Sequence, residues 1–195
     1  EKIMNKKVLF VDDNIIHIFE KDDYPVGGAS TQTFIWMEAF KNNGYTVKFT
    51  SPIKSNCLEA LYIKDLNKGP KFLIWIIYLF RIFKSVRLYK PSIIYLSTAG
   101  WKTIIWGIIS KLIGAKYIQR ISNDIVFSDT VYKTKLGNFK YTLCKLGLKN
   151  ANLIICQNNI QYNNLKKIFP LKRIEIIHNP YKIINDINVD KELYV

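Results

Sequence analysis

An α/β fold, a doubly wound and mostly parallel sheet, is predicted by three features of this sequence. Short apolar runs such as Val8–Val11, Ile93–Leu96 and Leu153–Cys156 recur along it, each too short for a helix and rich in the residues of buried strands. Segments with helical spacing of apolar residues separate these runs, and strands alternating with helices imply right-handed crossovers and a parallel sheet. The chain has 195 residues, 49% of them hydrophobic, enough for one domain with its own core.

Val8-Leu9-Phe10-Val11 forms the first expected strand, buried on both faces. An acidic loop follows with Asp12, Asp13, Glu20, Asp22 and Asp23, whose spacing fits no calcium-binding loop. Tyr24-Pro-Val-Gly-Gly-Ala-Ser-Thr then leads into a helix over about 28–43, with Phe34, Met37, Ala39 and Phe40 at helical spacing and Gly44 as its stop. Gly27 and Gly28 lack a Cβ, so the backbone there can take φ > 0 and approach a ligand closely. Ser30 or Thr31 can cap the helix, whose leading N–H groups and positive dipole end favour an anion. Gly27, Gly28, Ala29 and Ser30 are therefore a candidate loop for a phosphate or carboxylate; the plainer reading is that Gly-Gly marks a turn.

The second strand is expected over 45–50. Residues 51–69 have weak periodicity and are assigned no element. Pro70 opens a helix that runs to about residue 89, with Arg81, Lys84 and Arg87 at successive i+3 steps, and Pro91 ends it. Strand three spans 93–96. Trp101–Ile113 is a nearly all-apolar helix closed by Gly114, and strand four spans 116–121. A basic-faced helix over 132–149, strand five at 153–156, a helix over 160–169 and strand six at 173–177 complete the pattern.

The balance of 29 Lys+Arg against 15 Asp+Glu gives a net charge of +14, which attracts nucleic acid, anionic lipid or phosphorylated small molecules. Cys57, Cys144 and Cys156 show no zinc or disulfide spacing and read as free thiols of a reducing compartment. No secretory signal precedes the first strand, and the longest apolar run, Phe72–Phe80, falls short of the ~20 residues that cross a bilayer. A cytoplasmic location is expected, with contact at the inner face of a membrane. Arg81, Lys84 and Arg87, beside Trp75, Tyr78 and Phe80, are the candidates for that contact.

In a doubly wound sheet, ligands sit beyond the carboxyl ends of the strands where the strand order reverses. With the common order 3-2-1-4-5-6 that point lies between strands one and four, so the Gly27-Gly28 loop should face the loop after strand four. That loop holds Arg120, Ser122, Asn123 and Asp124, a set suited to a polyhydroxylated or phosphorylated ligand, although Asn123-Asp124 also reads as a turn. Ser97 and Thr98 after strand three and Gln157 and Asn158 after strand five are further candidates, with helix capping the alternative for Asn158. Trp101 reads as a core aromatic sooner than a sugar platform. His17 and His178 lack metal-site spacing, so a zinc or triad enzyme is disfavoured.

Five segments together resemble the amino-terminal, acceptor-side half of a GT-B glycosyltransferase of family 4. They are Pro25-Val-Gly-Gly-Ala29, Gly44-Tyr-Thr-Val47, Lys90-Pro-Ser-Ile-Ile94, Ala151-Asn-Leu-Ile-Ile155 and Ile177-His-Asn-Pro180, in that order. The resemblance implies one Rossmann-like domain over 6–182, the start of an interdomain linker over 183–195, and a donor-binding second domain that these residues do not include. It implies retaining transfer from a nucleotide-sugar, without metal or other cofactor, to a glycan or lipid-linked acceptor in surface polysaccharide or glycolipid synthesis. Asn123 and Asp124 are the candidates nearest the reacting sugar, and Asn179-Pro180 marks the crossing between domains. Many relatives carry a histidine after the third or fourth strand, where this chain has Ser97, Thr98 and Ser122-Asn123-Asp124, so the catalytic residues stay unassigned. The chain alone is expected to be inactive. Two other readings are a complete, non-catalytic acceptor-binding subunit of a split glycosyltransferase and a nucleotide- or nucleic-acid-binding module. The basic residues are spread over several elements and no nucleic-acid motif is present, so no nucleic-acid partner is expected.

Overall fold

A computed structural model of the chain describes residues 6–64, 71–123 and 135–179. In order, the elements are β1 (Lys7–Val11), α1 (Ile15–Glu20), α2 (Gly28–Asn42), β2 (Thr46–Ser51), β3 (Ala60–Tyr62), α3 (Lys71–Tyr89) and β4 (Ile93–Leu96). The remaining elements are α4 (Thr103–Ile113), β5 (Lys116–Arg120), α5 (Lys135–Lys149), β6 (Leu153–Cys156), α6 (Asn159–Ile168) and β7 (Ile174–Ile176). The seven strands form one sheet in the order β3-β2-β1-β4-β5-β6-β7, every pair parallel. This is the expected doubly wound α/β architecture.

The pleat sorts the apolar runs onto two faces. Leu9 and Val11 of β1, Ile94 and Leu96 of β4 and Ile154 and Cys156 of β6 pack with α3, α4, α5 and α6. Val8, Phe10, Tyr95 and Ile155 point the other way, and Val8 and Phe10 meet Ile15 and Ile16 of α1 and Met37 of α2. Strands buried on both faces need continuous apolar sequence, which is why they were legible without alternation. Gly44 and Gly114, at φ 80° and 73°, close α2 and α4 in the left-handed conformation that glycine adopts without strain.

Two elements depart from expectation. The acidic stretch contains α1, a helix of six residues whose Ile15 and Ile16 are fully buried. The unassigned connection contains β3, whose three half-buried residues pair with Phe49–Ser51 at the sheet edge. So short a strand between polar neighbours has no period to read. Its presence changes the topology that matters: β1 pairs with Ile93–Leu96, and the strand over 116–120 lies one place further out. The order reverses between β1 and β4, so the loop opposite Gly27-Gly28 is the one after Leu96, not the one after Arg120.

Several acidic groups are held neutral in the interior. Burial pushes the thiols of Cys144 and Cys156 up to about 11 and about 12, and the phenols of Tyr117 and Tyr89 well above their ordinary value of 10.0. In the unfolded chain these groups ionise near 9.0 and 10.0, so above those values the unfolded state has lost protons that the folded state keeps. Their contribution to stability is complete below the unfolded values and disappears as pH rises. A thermal-melting series should therefore show a midpoint that is flat below about pH 9 and falls steadily above it. A midpoint that holds to about pH 12 would show that these groups are not shielded as the fold requires.

Candidate functional site

At the carboxyl ends of β1 and β4 the organising group is Asp12, 8% exposed. Its Oδ1 accepts the Ser30 hydroxyl at 2.8 Å and the Asn14 N–H at 3.2 Å, while Oδ2 accepts the Ser97 hydroxyl at 3.0 Å. One carboxylate thus ties the start of α2 to the ends of both strands at the switch point. Beside it, Asp13 accepts the Thr50 hydroxyl at 2.7 Å and lies 3.5 Å from the Lys102 ammonium. In sequence Asp12 is one member of an acidic loop, and its position directly after a buried strand is the signal that sets it apart.

Two expectations about the glycine loop change. Gly27 is the residue before α2 and is extended, at φ −70° and ψ 156°, and neither Gly27 nor Gly28 has positive φ. Neither Ser30 nor Thr31 caps the helix: Ser30 is buried on Asp12, and the Thr31 hydroxyl donates to the Gly27 carbonyl at 3.4 Å. Ser30 is therefore structural, not part of a phosphate loop. What the glycines provide is room. A Cβ built on Gly27 or Gly28 would meet no atom within 4 Å. The Ser30 and Thr31 N–H groups donate to the Gly27 carbonyl at 3.0 and 3.2 Å, which leaves the Gly28 and Ala29 N–H groups at the start of α2, beside the positive end of its dipole. Ahead of the loop, His17 Nδ1 lies 2.7 Å from Asp22, which holds that carboxyl below its ordinary range, and the His17 ring stacks on Tyr24.

Arg120, 2% exposed, ends β5 on the face that carries Tyr95. Its Nη2 donates to the Asn179 side-chain carbonyl, its Nε has no hydrogen-bond partner, and among the described residues no carboxylate lies within pairing distance. Burial pushes the Tyr95 phenol up to about 12, opposed by Arg120 and reinforced by Asp12, so the three groups share one electrostatic environment. Arg120 is thus a cation beneath the cleft and an anchor for Asn179, not an exposed acceptor-binding side chain. Ser97 is likewise committed to Asp12. Asn158 is a helix cap: its Oδ1 accepts the Gln161 N–H at 2.8 Å, and Gln161 Oε1 accepts the Gln157 N–H at 2.7 Å. Gln157 also meets His178, whose Nδ1 lies 3.0 Å from its carbonyl.

Of the predicted site residues, Gly27, Gly28 and Thr98 are exposed at the switch point, while half-buried Ser122 and exposed Asn123 lie one strand away. Asp124 lies outside the described residues. Of the residues predicted for membrane contact, Lys84 and Arg87 are exposed and Arg81 is half-buried; Tyr78 packs on the core, Phe80 is exposed, and the Trp75 side chain lies outside the described residues. Among the described residues no group of His, Cys, Asp and Glu could hold a metal ion, and no helix is long and apolar enough to cross a membrane.

Residues 24–158, which include the Gly27-Gly28 stretch, α2, the loop after β4 and β4 to β6, match the family described as glycosyl transferase 4-like. The chain belongs to this family. No curated protein matches it. Among solved structures, HepE from Anabaena in complex with UDP and glucose superposes with a TM-score of 0.60 at 13% identity, over 91% of this chain and 45% of that one. Sucrose-phosphate synthase from Thermosynechococcus elongatus gives 0.61 at 13% identity, over 89% and 48%. MurG from Acinetobacter baumannii gives 0.57 at 12%, over 92% and 47%. At such identities the likeness is one of fold, and the chain spans less than half the length of each structure. This glycosyl transferase 4-like chain thus has the Rossmann-like fold of the amino-terminal half of a GT-B glycosyltransferase. Its switch point brings together the open Gly27-Gly28 backbone and the Asp12 and Asp13 carboxylates, with the buried Arg120 guanidinium one strand away.

Proposed function

We propose that this domain is the acceptor-binding half of a retaining glycosyltransferase, which moves a sugar from a nucleotide-sugar to a glycan or lipid-linked acceptor of surface polysaccharide or glycolipid. The observation that carries the reading is the unobstructed Gly27-Gly28 backbone at the start of the fifteen-residue helix α2, directly across the switch point from the loop after β4. A diphosphate or acceptor anion resting there would receive N–H groups and the dipole of α2, with Arg120 adding a fixed positive charge that needs no reorganisation. In this reading Thr98, Ser122 and Asn123 face the sugar and acceptor, and the second domain brings the groups that grip the donor. The complex of HepE with UDP and glucose supports a nucleotide-sugar as co-substrate for a protein of this fold. The net charge of +14 supports work beside an anionic membrane, with α3 turned to its surface.

The test uses the full-length gene product and Gly28→Val. Because the added side chain meets no atom at its first carbon, the variant should fold normally. It fills the space over the helix start, so turnover of the nucleotide-sugar should fall roughly 100-fold, the scale of losing a positioned oxyanion contact. Full activity in the variant would show that no ligand approaches this loop.

A further inference from the structure

The helical face beside the cleft has a composition that the cleft does not explain. The sequence holds no Asp or Glu between Asp65 and Asp124, nor between Asp129 and Glu175. Helices α3, α4 and α5, all within these stretches, carry nine Lys or Arg and no acid. Yet their outer surface is not simply polar: Ile76, Ile77 and Phe80 of α3 and Phe139 of α5 are exposed. Where the three helices meet, Leu79, Trp101, Ile104, Ile105, Phe139 and Leu143 line a groove of about 480 Å³, with Lys140 the one charged residue among the described residues of its wall. One wall residue of the groove, Trp101, directly follows Gly100 of the switch-point loop, and the Gly100 N–H is held by the Thr103 hydroxyl at the start of α4 at 3.0 Å.

We propose that this groove holds the apolar chain of a phosphorylated lipid acceptor, with Lys140 beside its path and the phosphate drawn to the basic residues of the acid-free helices α3, α4 and α5. The inference rests on the lipid-linked acceptor reading given above and adds where the lipid lies: along the protein, leading its head into the cleft. The chemistry fits in both parts. A wall with six apolar side chains suits a hydrocarbon chain, and helices without acids repel no phosphate. The volume accommodates about fifteen methylene-sized groups, taking each as roughly the 30 Å³ of a water molecule. Such a groove selects for chain length, since each methylene withdrawn from water contributes about fourfold in affinity.

The test titrates the full-length gene product with farnesyl phosphate, below its aggregation concentration, and follows tryptophan fluorescence and heat. Farnesyl phosphate should bind, geranyl phosphate, one isoprene unit shorter, should bind at least about tenfold more weakly, and inorganic phosphate weaker still. Phe139→Glu and Leu79→Glu, both at exposed positions and expected to fold, should each reduce farnesyl phosphate affinity about tenfold or more by placing a carboxylate in the groove mouth. Equal affinity for farnesyl, geranyl and inorganic phosphate overturns the proposal, as does binding unchanged in both variants. If no lipid phosphate binds but vesicles of equimolar phosphatidylcholine and phosphatidylglycerol do, and the variants abolish that, the face is a bilayer-docking surface and the groove assignment is wrong. Nucleotide-sugar turnover, measured on the same preparations, separates the two claims: a protein that turns over donor yet ignores farnesyl phosphate loses the groove and keeps the transferase reading.

Discussion

Gly147→Val is expected to destabilise the domain by on the order of 3 kcal/mol or more, lowering its melting midpoint by about 10 °C. A Cβ on Gly147 would lie 2.4 Å from the Thr103 carbonyl carbon and 2.5 Å from the Ile104 nitrogen, closer than any real contact. The obstacle is backbone, so no side-chain rotation relieves it, and α4 and α5 must separate. The other side of the crossing is equally tight, since a Cβ on Gly107 would lie 2.9 Å from the Gly147 carbonyl oxygen. Separation would loosen Leu148 and Cys144 from Ile105 and Trp106 in the main core. It would also shift Thr103, whose hydroxyl accepts the Gly100 N–H, so the disturbance reaches the switch-point loop. Gly27→Ala is the matched control: its added methyl meets nothing within 4 Å, and the midpoint should move by no more than the ~0.5 kcal/mol typical of a surface change. Equal midpoints for the Gly147→Val and wild-type proteins would show that the helices do not cross at this distance.

The contrast between these glycines marks how far sequence reading reaches. Gly44 and Gly114 were legible because a helix stop is a local event, written in the residues on either side of it. Gly147 was not, because its reason is Thr103, which lies on another helix. The strands were read on the same terms: β1, β4 and β6 are continuous apolar runs, whereas β3 owes its existence to pairing with β2. Missing β3 moved the expected partner of β1 from Ile93–Leu96 to the next strand, and with it the loop assigned to face Gly27-Gly28. The site residues divide likewise. Gly27 and Gly28 lie at the switch point where the order 3-2-1-4-5-6 put them, whereas Thr98 lies there because β1 pairs with Ile93–Leu96 and not with the strand over 116–120. Ser30, Ser97 and Arg120 occupy the expected neighbourhood but point inward, to Asp12 and Asn179, over separations of 18, 85 and 59 residues. No local pattern distinguishes a serine that greets a ligand from one that satisfies a buried carboxylate.

That carboxylate gives the second large effect. Asp12→Ala removes the shared acceptor of Ser30, Ser97 and the Asn14 N–H, groups in or beside the buried end of β1. Ser97 retains a long contact of 3.4 Å to the Val11 carbonyl, but among the described residues Ser30 has no second acceptor. Leaving buried donors unmatched costs about 1–3 kcal/mol each, so a total loss of roughly 2–4 kcal/mol is expected in thermal or denaturant unfolding. Asp12→Asn should cost less, because one carbonyl oxygen remains and a serine hydroxyl can accept from the new amide. A purely structural role would end there, so a second readout is needed. Asp12 helps keep the Tyr95 phenol at about 12, and Arg120 opposes it. With the negative charge gone and the guanidinium left in place, Tyr95 should ionise at lower pH in both variants, which ultraviolet difference titration can follow in the folded protein. If the fold weakens as stated while the phenol titrates unchanged, Asp12 is a clasp and nothing more. If the phenol moves down, Asp12, Tyr95 and Arg120 form one charge-coupled unit under the cleft, and the same variants should alter the affinity of the full-length protein for anionic ligands.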